Sequence, residues 1–304
     1  MRLLALLVLV LLAAAPAHAL DKGLVVSSCG APTIAAGGLA QVTQDTTGRM
    51  CAGGFTAPCQ AAANYLARTV GGNEGGNALN IENLICGLVS DGVITGNLSG
   101  TYGGCGTYLD MLYVQAQQNA ADAGLNLCGT SYTLAPGANS FTAYRGWTQT
   151  SSGIGTGFAP STSPSPRYIQ NSASIGVWYN AATAEGTAIL GGSVNIRLFP
   201  NHSSGFFLVR VNNPTNWQVA PPQQSGYYAG ERSAAANLHG FFNGADLGAQ
   251  SQASVAVDSS AISLGGSGQL QVINAAHVGA ALGPTLQLAL YNRLRTYMTA
   301  VGVP

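Results

Sequence analysis

The stretch NLHGFFNGADLG, residues 237–248, decides the fold class. Asn243-Gly244 supplies the two positive-φ positions of a type I′ turn, whose twist matches that of two flanking antiparallel strands. The pair therefore predicts a tight hairpin. Phe241 and Phe242 lie just before the turn, so their rings face opposite sides of a sheet, and one of them belongs to a core.

The rhythm around this hairpin is period two. SVNIRLFP, residues 193–200, sets Val194, Ile196 and Leu198 on one face and turns Asn195 and Arg197 outward. GFFLVRVNN, residues 205–213, does the same with Phe207, Val209 and Val211, so that Phe206 and Phe207 cannot both be buried. Several such runs from about Gly129 onward, divided by Gly, Asn, Pro and Ser, predict an antiparallel sandwich. The end of the chain breaks the pattern. In GPTLQLALYNRLRTYMTAVGVP, residues 283–304, Pro284 suits a first helical turn, and Leu290, Tyr291, Leu294, Tyr297 and Met298 form one stripe. Gly302 stands at the C′ position, which predicts a closing helix laid against the sandwich.

Upstream, residues 20 to about 55 read as a small β or loop segment rich in Gly, Thr and Val. From Pro58 the pattern turns helical. CQAAANYLARTV is alanine-rich, LNIENLICGLVSDGV places Ile81, Leu84, Ile85, Leu88 and Val89 on one stripe after a cap at Asn80, and TYLDMLYVQAQQNAADAGLNL repeats the period through Leu109, Leu112, Tyr113 and Ala116. Residues 56–128 are thus expected to be a helical unit, with GGNEGG (Gly71 to Gly76) as a connector. That tract lacks the lysine of a phosphate loop and the strand that precedes a dinucleotide loop.

Composition narrows the function. Of 304 residues only 7% are charged, against roughly 25% in an ordinary soluble domain, and the formal net charge is zero. Lys22 is the one lysine and the arginines are scattered singly, so no basic stripe exists for nucleic-acid phosphates or an anionic membrane. MRLLALLVLVLLAAAPAHAL opens with Arg2, an apolar run from Leu3 to Ala14 and an Ala17-His18-Ala19 site, the pattern of a secretory signal cut after Ala19. The run falls short of a membrane span, and none occurs later. The six cysteines, Cys29, Cys51, Cys59, Cys86, Cys105 and Cys128, have no metal-type spacing and in an exported chain suggest disulfides. Fifteen connectivities are open. Cys29 with Cys51 is the preferred pair, across a short hairpin.

Catalytic constellations are missing. A glycan hydrolase needs two positioned carboxylates, and from Gly129 onward the only acids are Glu185, Glu231, Asp246 and Asp258, none of them clustered. The mature chain has three histidines, His202, His239 and His277, and no serine lies in a G-x-S-x-G elbow. His277 reads as a hydrogen-bonded strand residue. Calcium would want several oxygen ligands in one place, so neither metal nor cofactor is expected. What remains is a binding surface, because sugars stack C–H faces on aromatic rings and pair hydroxyls with amides. Trp217, in the loop-like NNPTNWQVAPPQQ, is the first choice, with Tyr227, Tyr228, Asn213 and Asn216 beside it.

The order of SASIGVWYN, LHGFFNGADLG, AISLGG and AAHVGAALGPTLQLALYNRLRTYM resembles laminin-G-like, concanavalin-type jelly rolls. The closing LYNRLRTYMTAVGV, with LVSDGV and LDMLYVQAQQNAADAGLNL upstream, is similar to members encoded by bacteriophages and prophages, in which a helical lead-in precedes the jelly roll. The resemblance covers roughly residues 60–304, and SGTYGGCG before Tyr108 stands out as an insertion. It implies a mainly β, antiparallel concanavalin-type jelly-roll sandwich with a closing C-terminal helix, preceded by a small α-helical unit. The expected organisation is a signal peptide at 1–19, a disulfide-tied β/loop segment at 20–55, a helical lead-in at 56–128 and a laminin-G-like jelly roll at 129–304. The expected function is non-enzymatic binding of a carbohydrate or bacterial surface ligand by a secreted, periplasmic or virion-associated protein. A structural virion decoration module is the alternative. Ligand would meet the open face of the concave sheet and its rim loops.

Overall fold

The computed structural model describes residues 43–44, 50–51, 59–70, 76–148, 153–180, 188–220, 225–265 and 272–304. The signal sequence, the Cys29–Cys51 pairing and residues 71–75 of the GGNEGG tract lie outside the described residues.

In chain order the strands are β1 (Thr43–Gln44), β2 (Met50–Cys51), β3 (Leu109–Val114), β4 (Ser140–Thr142), β5 (Gly146–Thr148), β6 (Ile154–Gly155), β7 (Ala173–Asn180) and β8 (Leu190–Ser193). They continue as β9 (Ile196–Phe199), β10 (Phe207–Val211), β11 (Trp217–Val219), β12 (Gly226–Ala234), β13 (Asn237–Phe242), β14 (Ala245–Ser251), β15 (Ser263–Leu264) and β16 (Val272–Gly279). The helices are α1 (Gln60–Leu66), α2 (Gly76–Ser90), α3 (Ala120–Ala123) and α4 (Gly283–Ala300). A six-stranded sheet runs β11-β10-β9-β8-β15-β6; an eight-stranded sheet runs β14-β13-β12-β7-β16-β5-β4, with β3 also on β16. Every pairing is antiparallel.

The two sheets enclose one core, which includes Ile175, Val177, Leu198, Phe207, Val209 and Trp217. A second core, with Leu84, Ile85, Leu112, Val114, Phe241, Leu290 and Leu294, lies between the eight-stranded sheet and the helices. The large sheet is therefore covered on both faces, and the open concave face expected of a lectin-like sandwich is taken by α1, α2 and α4. The closing helix forms as its period requires: Leu290, Tyr291, Leu294, Tyr297 and Met298 are buried, Pro284 is in the first turn, and Gly302 follows the Val301 cap with φ 74°. Each fully buried aliphatic side chain of that stripe contributes about 1.5–3 kcal/mol.

The Asn-Gly hairpin also forms. Phe242 pairs with Ala245, and Asn243 and Gly244 have φ of 49° and 77°. Phe241 enters the helix-side core, whereas Phe242 packs on the sandwich core.

Three local expectations are corrected. Leu109–Val114 is a strand rather than part of a helix; all six residues are buried and pair with β16. A strand buried on both faces shows no polar alternation, and so short an apolar run fits either period. Asn80 lies inside α2 and does not cap it. Val194 is 54% exposed in the two-residue turn between β8 and β9, while Ile196 and Leu198 are buried as expected.

Candidate functional site

The residues expected to meet a ligand lie mostly inside the protein. Trp217 is 1% exposed in β11, its ring 5.5 Å from Phe207 and edge-on to it. Its burial depends on a residue distant in sequence: a Cβ on Gly240 would come within 2.3 Å of the indole, so the missing side chain makes the bay that the ring fills. Tyr227 and Tyr228 point to opposite faces of β12, the first into the helix-side core and the second among Phe207, Phe242 and Tyr179. Asn213 is buried and donates to the Ala253 carbonyl at 2.8 Å, and Asn216 accepts from Arg210 Nε at 2.6 Å. None of the three rings offers a face to solvent.

Tyr227 belongs instead to a closed hydrogen-bonded ring on the face of the large sheet beneath α4. Tyr227 OH donates to Gln287 Oε1 (2.9 Å), and Gln287 Nε2 donates to Ser174 Oγ (2.9 Å). The Ser174 hydroxyl then has one acceptor left, His277 Nε2 at 2.9 Å, which leaves the imidazole proton on Nδ1, donated to Tyr227 Oη at 3.2 Å. Burial pushes His277 down to about 3, so the imidazole is neutral and this tautomer is consistent throughout. The remaining proton on Gln287 Nε2 goes to Glu231 Oε2 at 3.0 Å, and the same carboxylate accepts from Leu282 N and Gly283 N at the start of α4. An anion there is favoured by the helix dipole. Ser174 and His277 have the spacing of a nucleophile and its base, but the five residues are at most 2% exposed and all the protons are committed to each other. The ring fastens α4 to the sheet.

The exposed chemistry gathers at a corner built from three loops, residues 98–106, 129–133 and 158–167. The Cys105–Cys128 disulfide joins the first to the start of the second, and closing a loop of that length contributes about 3 kcal/mol. Backbone bonds lock the same seam, from Gly104 N to Cys128 O (2.6 Å), Thr130 N to Gly100 O (3.1 Å) and Ser131 N to Thr101 O (3.1 Å). The Asp110 carboxylate, on β3, accepts from Arg167 N and Tyr168 N at 2.8 Å each and so ties in the third loop. Burial pushes that carboxyl up to about 6 against the two N–H donors. Arg167 donates from Nε to the Gly106 carbonyl (2.8 Å) and from Nη1 to the Ser165 carbonyl (2.6 Å).

Tyr102 projects from this frame, 46% exposed. Its ring centroid lies 5.4 Å from that of Tyr132, which stands edge-on to the buried Phe158 at 5.2 Å. Tyr132 and Ser165 hold φ of 63° and 46°, a region that non-glycine residues enter at a cost, and such strain persists where surrounding structure enforces it. Tyr102 lies within SGTYGGCG, the stretch that stood out in the sequence as an insertion. The stretch is visible in the sequence; its partners Tyr132 and Phe158 are not. A second disulfide, Cys59–Cys86, joins α1 to α2. Among the described residues no group of three or more His, Cys, Asp or Glu side chains could hold a metal ion, and no helix is long and apolar enough to cross a membrane.

Two antiparallel sheets packed face to face under a helical layer define a β-sandwich. No protein-family model matches the chain, and no curated protein does. A Trypanosoma rangeli sialidase in complex with sialic acid matches with TM-score 0.48 and 8% identity, over 60% of this chain and 32% of the sialidase. Domain 4 of AbnA, a GH43 extracellular arabinanase from Geobacillus stearothermophilus in complex with arabinotriose, matches with TM-score 0.37 and 16% identity, over 54% of this chain and 82% of that one. The botulinum neurotoxin serotype D binding domain matches with TM-score 0.42 and 12% identity, over 61% and 52%. The chain spans about a third of the sialidase's length, and these likenesses concern the arrangement of strands alone.

Proposed function

We propose that this chain is an exported, non-enzymatic binding protein whose three-loop corner takes a glycan or another ligand of a bacterial surface. The observation that carries the reading is Tyr102, an aromatic ring 46% exposed and backed by Tyr132 and Phe158 on loops held by a disulfide and a buried carboxylate. A ring held in place before binding loses little freedom when a sugar stacks on it. The described acids after Gly129 support a role without catalysis: Glu231 caps α4, Asp246 pairs with His239, and Asp258 accepts from Ser260 N. The lead-in and closing motifs that resemble phage and prophage jelly rolls support an envelope polysaccharide as the target, met after export through the Ala17-His18-Ala19 leader.

Titrating the mature chain with a panel of envelope polysaccharides tests the reading. Stacking on one ring is worth about 0.5–1.5 kcal/mol beyond area burial, so Tyr102→Ala weakens binding several-fold. A folded wild type that binds nothing across the panel would favour the structural alternative, a virion decoration module.

A further inference from the structure

We infer that the outward face of the six-stranded sheet carries an oxyanion-binding site, formed by Arg197 on β9 and Arg210 on β10, for the carboxylate or sulfate groups of an acidic polysaccharide. The two arginines are register partners on adjacent antiparallel strands, so their side chains rise directly opposite each other. Their neighbours Ile196, Leu198, Val209 and Val211 point into the sandwich core, which turns both guanidiniums to the outer face.

Like charges in this position repel, and a sheet ordinarily answers them with an acid alongside. Here there is none. Among the described residues the only side-chain ion pairs are Arg293 with Asp91 and His239 with Asp246. Burial, and then the facing Arg197 charge, hold the Arg210 guanidinium below its ordinary value. The pair is also oriented: Arg210 donates from Nε to Asn216 Oδ1 (2.6 Å) and from Nη1 to the Val194 carbonyl (2.8 Å), and Arg197 donates from Nε to the Ser193 carbonyl (2.9 Å). Arg210 Nη2 and both Nη groups of Arg197 have no hydrogen-bond partner among the described residues. On the neighbouring strand the register partner of Arg197 is Gly191, which itself brings no side chain to that side of the pair.

Two planar guanidiniums on register partners, whose Cα atoms in such a pair stand about 5 Å apart, suit a planar or tetrahedral oxyanion, which removes their repulsion while accepting their free N–H groups. One such pair on a chain of zero net charge is too little for a phosphodiester backbone, whose binding needs many contacts. An oxyanion on an otherwise neutral polyol fits better, with the exposed Gln218 amide nearby on β11 to meet hydroxyls.

Isothermal titration of the whole chain at low salt, with polygalacturonate, dextran sulfate and plain dextran, tests the site. The expected result is binding of at least one polyanion, weakened roughly tenfold by Arg197→Gln or Arg210→Gln and strongly by salt near 1 M, where the screening length falls to ~3 Å. Binding of polygalacturonate assigns the carboxylate; binding of dextran sulfate assigns the sulfate. Arg197→Lys keeps the charge and loses the fork, so it recovers only part of the affinity. Without ligand, Arg197→Gln melts no lower than wild type, because a repulsion has been removed, which controls for folding. Tyr102→Ala leaves polyanion affinity unchanged, which separates this site from the loop corner. No binding of either polyanion to wild type, equal affinity in the Gln variants, or dextran binding as tight as the polyanions would overturn the proposal.

Discussion

The sheet face under α4 and the three-loop corner are made from the same neutral polar and aromatic residues, yet they use them in opposite ways. Under α4 the polar atoms of Ser174, Tyr227, His277 and Gln287 close on themselves, and Glu231 takes what remains together with the helix start. At the corner the polar atoms that are used hold backbone, and the aromatic ring of Tyr102 is left pointing outward. A chain with 7% charged residues cannot advertise a site by charge. What separates scaffold from surface is whether each polar group already has its partner and each ring its cover.

The strongest way to break this comparison is Trp217→Ala. If the ring is core, its loss costs about 3–5 kcal/mol of stability, read by chemical unfolding, with no ligand-specific effect. A variant of near-wild-type stability would return Trp217 to the surface. Next, Gln287→Leu removes one hydrogen-bond partner each from Tyr227, Ser174 and Glu231 in a buried interface and costs about 2–4 kcal/mol. A smaller loss would mean that the ring is not closed as described.

Asp110 sharpens the other side of the comparison. Its folded value of about 6 stands above its ordinary 3.8, so between those values the folded state binds more protons than the unfolded one. Stability from this group is therefore fully present below about pH 4 and is lost as pH rises through about 6, by on the order of 2–3 kcal/mol. Asp110→Asn flattens that part of the pH profile, and unfolding midpoints of both proteins across the range check it. An unchanged profile would remove the buried carboxyl from the frame of the corner. The smallest expected change in stability is that of Tyr102→Ala, within about 0.5 kcal/mol. A larger loss would make Tyr102 a packing residue and weaken the proposed binding role.

Much of the architecture is legible in the sequence because its signals are local. Asn243-Gly244 marks its hairpin through backbone conformation alone, and the stripe on α4 carries its own 3.6-residue period together with Pro284 and Gly302. Leu109–Val114 is ambiguous for the reason that makes it a good strand: buried on both sides, it has no polar face to reveal its period. The helical cover of the large sheet escaped the resemblance to lectin-like jelly rolls, because a strand residue that faces a helix reads no differently from one that faces a second sheet.

The candidate site was less legible. SGTYGGCG is conspicuous as an insertion, but Tyr102 gains its meaning from Tyr132 and Phe158, which reach it through the Cys105–Cys128 bond and the Asp110 carboxylate. Trp217 misleads in the opposite direction. Among Asn and Pro residues it reads as a loop tryptophan, and only the bay left by Gly240, on a strand of the other sheet, takes it into the core. By itself, then, the sequence determined the sandwich, the closing helix, the low charge and the poverty of acids, since each is written in neighbouring residues. Tertiary structure alone decided which rings are covered and which polar atoms are satisfied, because both depend on residues that meet only when the sheets and helices pack.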